Sequence, residues 1–470
     1  MNSALPLPPG PRGLPVLGSL PALRGTLHVS LDRLVRSYGD ICLIRLGSVP
    51  VAIISHPKLL EQTFGKTELT NRWMTDAAFA LTEGRTPATA SYGELWRRFD
   101  RFIRHEMFGA DNLTMLRRNH IEPEVDELME RIGRMAGAGE PVHPNDMLSD
   151  SACRMALRTY FLVDGEDKDW AAELERVAVL LREHFEAVNT LTATPEPGDV
   201  FPWARFLPNK AVRKARRLND ARQEILGPLL DRVRSRSGFD PSSPVCLAEV
   251  VTAWEKSGSL SRRTMCGMLA DTMQPHFDGV ASTVKWFLLT VANRPQVQAK
   301  IHGELDRVVG RDALPAVDDR GRLPYTFAAI AECMRFHTAS PLGIPHEASQ
   351  DTEVGGYRIE AGTKVFGNLY GIHHDPRFWE SPHEFIPERF LPKADGSPSS
   401  ALTGGAFIPF GAGLRRCTGE RPAEIEVWLY IARLMHRFRF ERPTVDLLSE
   451  FEVHGLTITP RPYALKATRR

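Results

Sequence analysis

The 470-residue chain has no run of about 18 apolar residues, so no segment reads as a membrane-spanning helix. Its N-terminus lacks the charged and then apolar pattern of a secretory leader. Paired cysteines are also missing. Cys42, Cys153, Cys246, Cys266, Cys333 and Cys417 stand too far apart for zinc-type spacing, which fits a reduced compartment. Neither sign of charge is in excess: 59 Lys and Arg against 58 Asp and Glu leave a formal net charge of +1, which argues against nucleic acid as the main partner. A cytoplasmic protein is the expectation.

Proline is concentrated at the start. Pro6, Pro8, Pro9, Pro11 and Pro15 make residues 1–26 a stiff, extended arm. With no internal repeat and no clean linker, residues 27–470 read as a single domain. Apolar periodicity predicts a helix near 28–38, strands in "ICLIRLG" and "VAIIS", a short helix in "HPKLLEQTF" and an irregular stretch over 66–92. Helices are then predicted over 92–108, 112–137, 148–162, 168–190, 206–235, 245–256, 261–292 and 295–309. Short strands follow in "TEVGGYRIEAGTKV", then proline-punctuated coil and a last long helix after Cys417. The fold class is mainly α with small β-sheets. The basic, amphipathic stretch from Lys210 reads as an exposed helix over the core.

One predicted helix is spoiled at its middle. In "MLADTMQPHFDGVASTVKWFLL", residues 268–289, Pro275 and Gly279 are together about 4 kcal/mol worse than two alanines. His276 and Asp278 sit between these breakers. Ser261 is a natural N-cap for this helix.

The other unusual segment is "FIPFGAGLRRCTGERPAEIEVWLYIARL". Gly411 and Gly413 allow tight turns, and Cys417 immediately precedes an apolar-periodic helix. Free N–H groups and the helix dipole there would stabilise a thiolate. A buried, inert cysteine is the competing reading.

The run from Phe410 to Gly419 resembles the ligand loop of the cytochrome P450 family, with Phe, Gly, Gly, Arg, Cys and Gly at the signature positions. The resemblance implies the cytochrome P450 fold, with a long central helix over haem b and Cys417 as the thiolate ligand of its iron. It places Phe410 and Gly411 against the thiolate side and pairs Arg415 with a haem propionate. "AECMRFH" places Glu332 and Arg335 at i and i+3, where they can pair. Arg389 in "FIPERF" would complete a structural Glu-Arg-Arg network. Trp96 resembles a propionate contact, but the usual Arg four places later is Asp100, leaving Arg97 or Arg101 to compensate. His346 stands where many relatives have a propionate-binding Arg, or is a turn histidine.

In this alignment the spoiled helix is the oxygen-activation segment. Asp278 takes the acid position, while Gly279 replaces the usual threonine and Pro275 with His276 replaces a small Ala-Gly pair. One reading is a monooxygenase that relays protons through Asp278, ordered water, Ser282 or a substrate hydroxyl. Another is non-hydroxylating chemistry: oxidative coupling, nitrene or nitro transfer, dehydration or peroxide-driven turnover. A haem-binding sensor or carrier without turnover is the third. His276 is either a packed helix histidine or a substrate contact and proton donor. The expected substrate is a largely apolar small molecule, perceived as part of secondary metabolism, bound by segments 70–91, 180–205, 272–283, 340–345 and 453–458. With no flavin or iron–sulfur module, electrons are expected from a separate ferredoxin or flavoprotein reductase docking near Arg97, Arg98, Arg101 and Arg416. A monomer is expected.

Overall fold

The computed structural model describes residues 5–161, 168–193, 195–235, 244–256 and 260–470. Its central helix starts where a capping side chain is available: Ser261 accepts a bond from the Thr264 amide. The helix runs as Arg262–Pro275, a π turn His276–Val280 and Ala281–Asn293. Pro275 supplies no N–H, the His276 amide turns back to the Met273 carbonyl, and the Ala281 amide reaches the His276 carbonyl five residues back. The breakers therefore widen one turn and do not end the helix. Every residue from Val280 to Ala292 is buried, with Trp286 among the largest fully enclosed side chains.

Around this helix pack Pro144–Phe161, Lys168–Ala193, Lys210–Ser235, Pro324–Phe336 and Glu420–Arg437, and Leu247–Lys256 packs against the first and third of these. A five-stranded sheet flanks the helical body in the order Ile41–Leu46, Val49–Ile54, Lys364–Gly367, His346–Glu347 and Asn71–Arg72. The first two strands form an antiparallel hairpin in which Ile41 pairs with Ile54, and Lys364–Gly367 adds in parallel. The proline arm is hydrogen-bonded to the sheet edge, with Pro9 accepting from the Leu43 amide at 2.9 Å. No helix among the described residues is long and apolar enough to cross a membrane.

Several boundaries differ from the sequence reading. Residues 66–92 hold the strand Asn71–Arg72 and the helix Asp76–Thr82, capped by Thr75. The predicted helix over 92–108 is Glu94–Arg101 continued by a π turn, and 112–137 contains a second π turn at Arg117–Ile121. The helix predicted from 148 starts at Pro144, and its predicted end at 162 lies outside the described residues. Residues 202–206 form a separate 3-10 turn ahead of the helix from Lys210.

The coil before Cys417 is held by charge. Glu332 and Arg335 have fully enclosed side chains and pair through two bonds, of 2.7 and 2.8 Å. Arg389 joins Glu332 at 3.1 Å, and the Ile386 amide donates to the same carboxylate at 2.8 Å. The remaining Arg335 donors go to the carbonyls of His373, Pro382 and Glu384. Glu332, Arg335 and Arg389 thus meet around one buried carboxylate.

Candidate active site

Between the π turn and the cysteine loop lies a cavity of about 360 Å³. Cys417 opens onto it, as do Phe410 and Gly411. The loop is shaped by its own backbone bonds: the Cys417 amide donates to the Phe410 carbonyl at 3.0 Å, and Gly411 to Ile408 at 3.0 Å. Gly413 has φ +70, and a Cβ there would lie 2.2 Å from the Phe64 carbonyl oxygen. Both the turn and the close approach require glycine. Burial pushes the Cys417 thiol up, opposed by the Gly419 amide and by the charges of Arg104 and Arg416.

Cations gather at one side of this cavity. Arg415 donates to the Thr70 and Pro87 carbonyls at 3.0 and 3.3 Å and to Ala90, and lies 4.4 Å over the ring of buried Trp96. Arg72 donates to the Ile344 carbonyl at 2.6 Å, and its Nε has no partner. Among the described residues neither guanidinium is in an ion pair. Desolvation pulls Arg72 well below its ordinary value, with the charge of Arg415 adding to it, and lowers Arg415 to about 10. His346, directly opposite Arg72 in the sheet, also lines the cavity, stacks on Phe64 at 3.9 Å and donates from Nδ1 to the Leu69 carbonyl. Burial holds His346 well below its ordinary value, helped by Arg72, so it brings hydrogen-bonding capacity without charge.

Arg97 does not complete this group. It is exposed, lies 5.7 Å over Tyr92 and is not part of the cavity wall; Arg101 is exposed as well. The second cation is Arg72, which the sequence reading missed because it comes from a distant strand. Asp100 does line the cavity and accepts from Arg104 at 2.8 Å. Arg104 in turn reaches the Arg416 carbonyl at 2.6 Å, tying this helix to the cysteine loop.

On the opposite wall the central helix presents Pro275, His276, Gly279, Val280 and Thr283. His276 is buried, and its Nδ1 lies 2.8 Å from Oε2 of Glu426 on the helix after Cys417. Thr283 donates to the Gly279 carbonyl at 2.8 Å. A Cβ on Gly279 would meet nothing within 4 Å, so the position opens into the cavity. Asp278 and Ser282, expected to act here, lie off the cavity wall. Asp278 accepts from Gln274 at 2.8 Å, and its other oxygen has no partner. Burial raises Asp278 to about 7, against the Gln274 bond and the charge of buried Lys285, itself lowered to about 8 by burial. Lys285 donates to Ser149 at 2.8 Å. Glu426 and Lys285 had one signal in the sequence, a charge inside an otherwise apolar helical run; Thr283 had none that set it apart from Ser282.

The family model described as Cytochrome P450 matches residues 8–467. The chain belongs to the cytochrome P450 family. Cytochrome P450 1A2 of Oryctolagus cuniculus is 31% identical over 96% of this chain and 89% of that protein. Steroid 17-alpha-hydroxylase/17,20 lyase of Oryzias latipes is 30% identical over 97% of this chain and 90% of its own length. A solved zebra fish cytochrome P450 with abiraterone superposes with a TM-score of 0.78 at 26% identity, covering 95% of this chain and 99% of that one. Cytochromes P450 are oxidoreductases, monooxygenases that hold haem through a cysteine thiolate and generally draw electrons from a separate redox partner. The cavity fits that group: two desolvated, unpaired guanidiniums border it with an uncharged histidine, as a pair of propionates would need, and its opposite end carries the one cysteine that opens onto it among the described residues.

Two outcomes follow. Arg72→Leu removes a charge-assisted contact and is expected to weaken haem binding about 10-fold or more in titrations of the haem-free protein, whereas Arg97→Leu leaves it unchanged. Equal haem affinities in the two variants would refute the assignment of Arg72. For Asp278, the folded value lies above the ordinary one of about 4, so the unfolded chain ionises first and stability falls as pH rises from about 4 to about 7, by up to about 4 kcal/mol. Asp278→Asn is expected to flatten that slope in urea unfolding across this range. Lys285 acts in the opposite sense and higher, with stability lost as pH falls from 10.5 toward about 8, outside the Asp278 window.

Proposed function

We propose that this cytochrome P450 hydroxylates or otherwise oxygenates a largely apolar small molecule, as a monomer in the cytoplasm, with electrons from a separate ferredoxin or flavoprotein reductase. The observation that carries the reading is the cavity wall. Phe99, Ile103, Phe108, Val280, Met334 and Leu369 supply an apolar lining, while His276 and Thr283 of the central helix add polar groups on the wall opposite the cysteine loop. The Oryzias latipes relative is named for steroid hydroxylation, so a polycyclic apolar substrate is the class carried to this chain. A place in secondary metabolism belongs to the same proposal, as does the division into an arm over 1–26 and one domain over 27–470. Exposed Arg97 and Arg101 offer the docking charge; Arg416 is already paired with Glu420 at 2.8 Å.

When bound, haem supplies the oxygen activation. The chain's part is to seat the substrate, limit water and move protons. We assign the last task to His276 and Glu426. A proton exchanged between Glu426 Oε2 and His276 Nδ1 leaves His276 Nε2 as the nitrogen available to cavity water or substrate. Thr283 adds a hydroxyl one turn beyond Gly279, where the usual threonine is missing. The second reading, non-hydroxylating chemistry, rests on Gly279 alone, whose open face leaves room beside the reacting centre.

Turnover under labelled dioxygen separates these readings, using a substrate found by spin-state titration against a compound panel. One labelled oxygen atom per product is expected; unlabelled product at full turnover would favour the second reading. His276→Gln and Glu426→Gln are each expected to cut turnover about 100-fold and to enlarge the solvent isotope effect. Unchanged values in both variants would remove the pair from the proton path.

A further inference from the structure

Away from the haem cavity, three potential metal ligands from opposite ends of the chain converge. His28 lies in the first turn of the helix Leu27–Tyr38, while Glu452 and His454 belong to the C-terminal hairpin of Glu452–Val453 and Thr459–Pro460. Glu452 Oε2 is 3.5 Å from His28 Nε2 and 3.8 Å from His454 Nδ1, and one ligand atom from each of the three lies within 4.8 Å of the others. His28 is 3% exposed, and its Nε2, aimed at this point, has no hydrogen-bond partner. Its ring is steadied edge-on by Tyr370 at 4.7 Å. Among the described residues the ion-pair partners of Glu452 are these two histidines alone.

We propose that His28, Glu452 and His454 form a binding site for a divalent transition-metal ion of the zinc type. Two imidazoles and a carboxylate are a donor set that Zn²⁺ accepts. Ligand atoms on a tetrahedron with bonds of about 2.1 Å stand about 3.4 Å apart, so the 3.5 and 3.8 Å separations from Glu452 need little closure, and the His28–His454 separation, within 4.8 Å, closes by movement of the exposed His454 side chain. The His454 side chain is 45% exposed, which gives an ion an entry path and leaves a fourth position for water. The hairpin that would be clamped also carries Thr457, part of the haem cavity wall, and Ile458, whose amide donates to Ala339 at 2.8 Å. Metal at this point would fasten one wall of the substrate cavity to the first helix of the chain.

The test uses the haem-loaded enzyme, purified without a histidine tag and stripped with a chelator, in equilibrium dialysis against Zn²⁺. One saturable equivalent is expected. His454→Gln and Glu452→Gln should each weaken it at least 10-fold, while His143→Gln, at an exposed position elsewhere, should not. Zinc should also slow amide hydrogen exchange at Leu456 and Ile458 severalfold. Wild-type affinity in either site variant, no saturable equivalent, or unchanged exchange in the hairpin would overturn the proposal.

Discussion

The Glu332–Arg335 pair is the constraint on which the haem-facing side of this molecule depends. Two charges with no solvent contact are tolerable only when every donor and acceptor is met, and breaking such a pair costs about 3–5 kcal/mol. Here the partners are met mostly by backbone. Arg335 holds the His373 carbonyl at 2.7 Å, and His373 Nε2 accepts the Ile408 amide at 3.0 Å. Ile408 then receives the Gly411 amide, and Phe410 receives that of Cys417. A continuous line of hydrogen bonds thus runs from one buried ion pair to the sulfur-bearing residue. The cysteine is placed by charge and backbone geometry more than by side-chain packing.

The central helix solves a different problem. It must be apolar enough to be buried on all sides and still present polar groups to a cavity. A π turn widens the helix at the cavity, with the Ala281 amide reaching back five residues to the His276 carbonyl. Pro275, His276, Gly279, Val280 and Thr283 share the cavity face at the three- and four-residue spacing of an ordinary helical stripe, while Gln274, Asp278 and Lys285 pack away from it.

The same stripe bears on where the sequence was legible. Cys417, Arg415, Glu332, Arg335 and Arg389 lie in segments that resemble the family's motifs, and that resemblance is what singles them out. Long apolar-periodic helices were equally readable. Asp278 and Ser282 were placed in the site by likeness to the family's oxygen-activation segment, and both fall off the helical stripe of His276, Gly279, Val280 and Thr283 that lines the cavity. Arg72 could not be found by any local rule: its role comes from standing opposite His346 across a sheet whose two strands are far apart in the chain. Glu426 is similar, since a carboxylate in an apolar helix announces a buried partner without naming it.

The two walls of the cavity are less independent than their separation in sequence suggests. The proximal wall ends in Cys417, and three residues later the helix Glu420–Arg437 begins. The same helix supplies Glu426 to His276 on the opposite wall. A substrate that displaces His276 must therefore either break the buried His276–Glu426 bond or move the helix adjoining Cys417. Because that cysteine is tied through Phe410 and Ile408 to the Glu332–Arg335 pair, the helix has little freedom to yield. The less costly response is local, within the widened turn around Gly279, where open space already exists. The helix breakers thus place the compliance of the site beside the reacting centre and keep it away from the ligand loop.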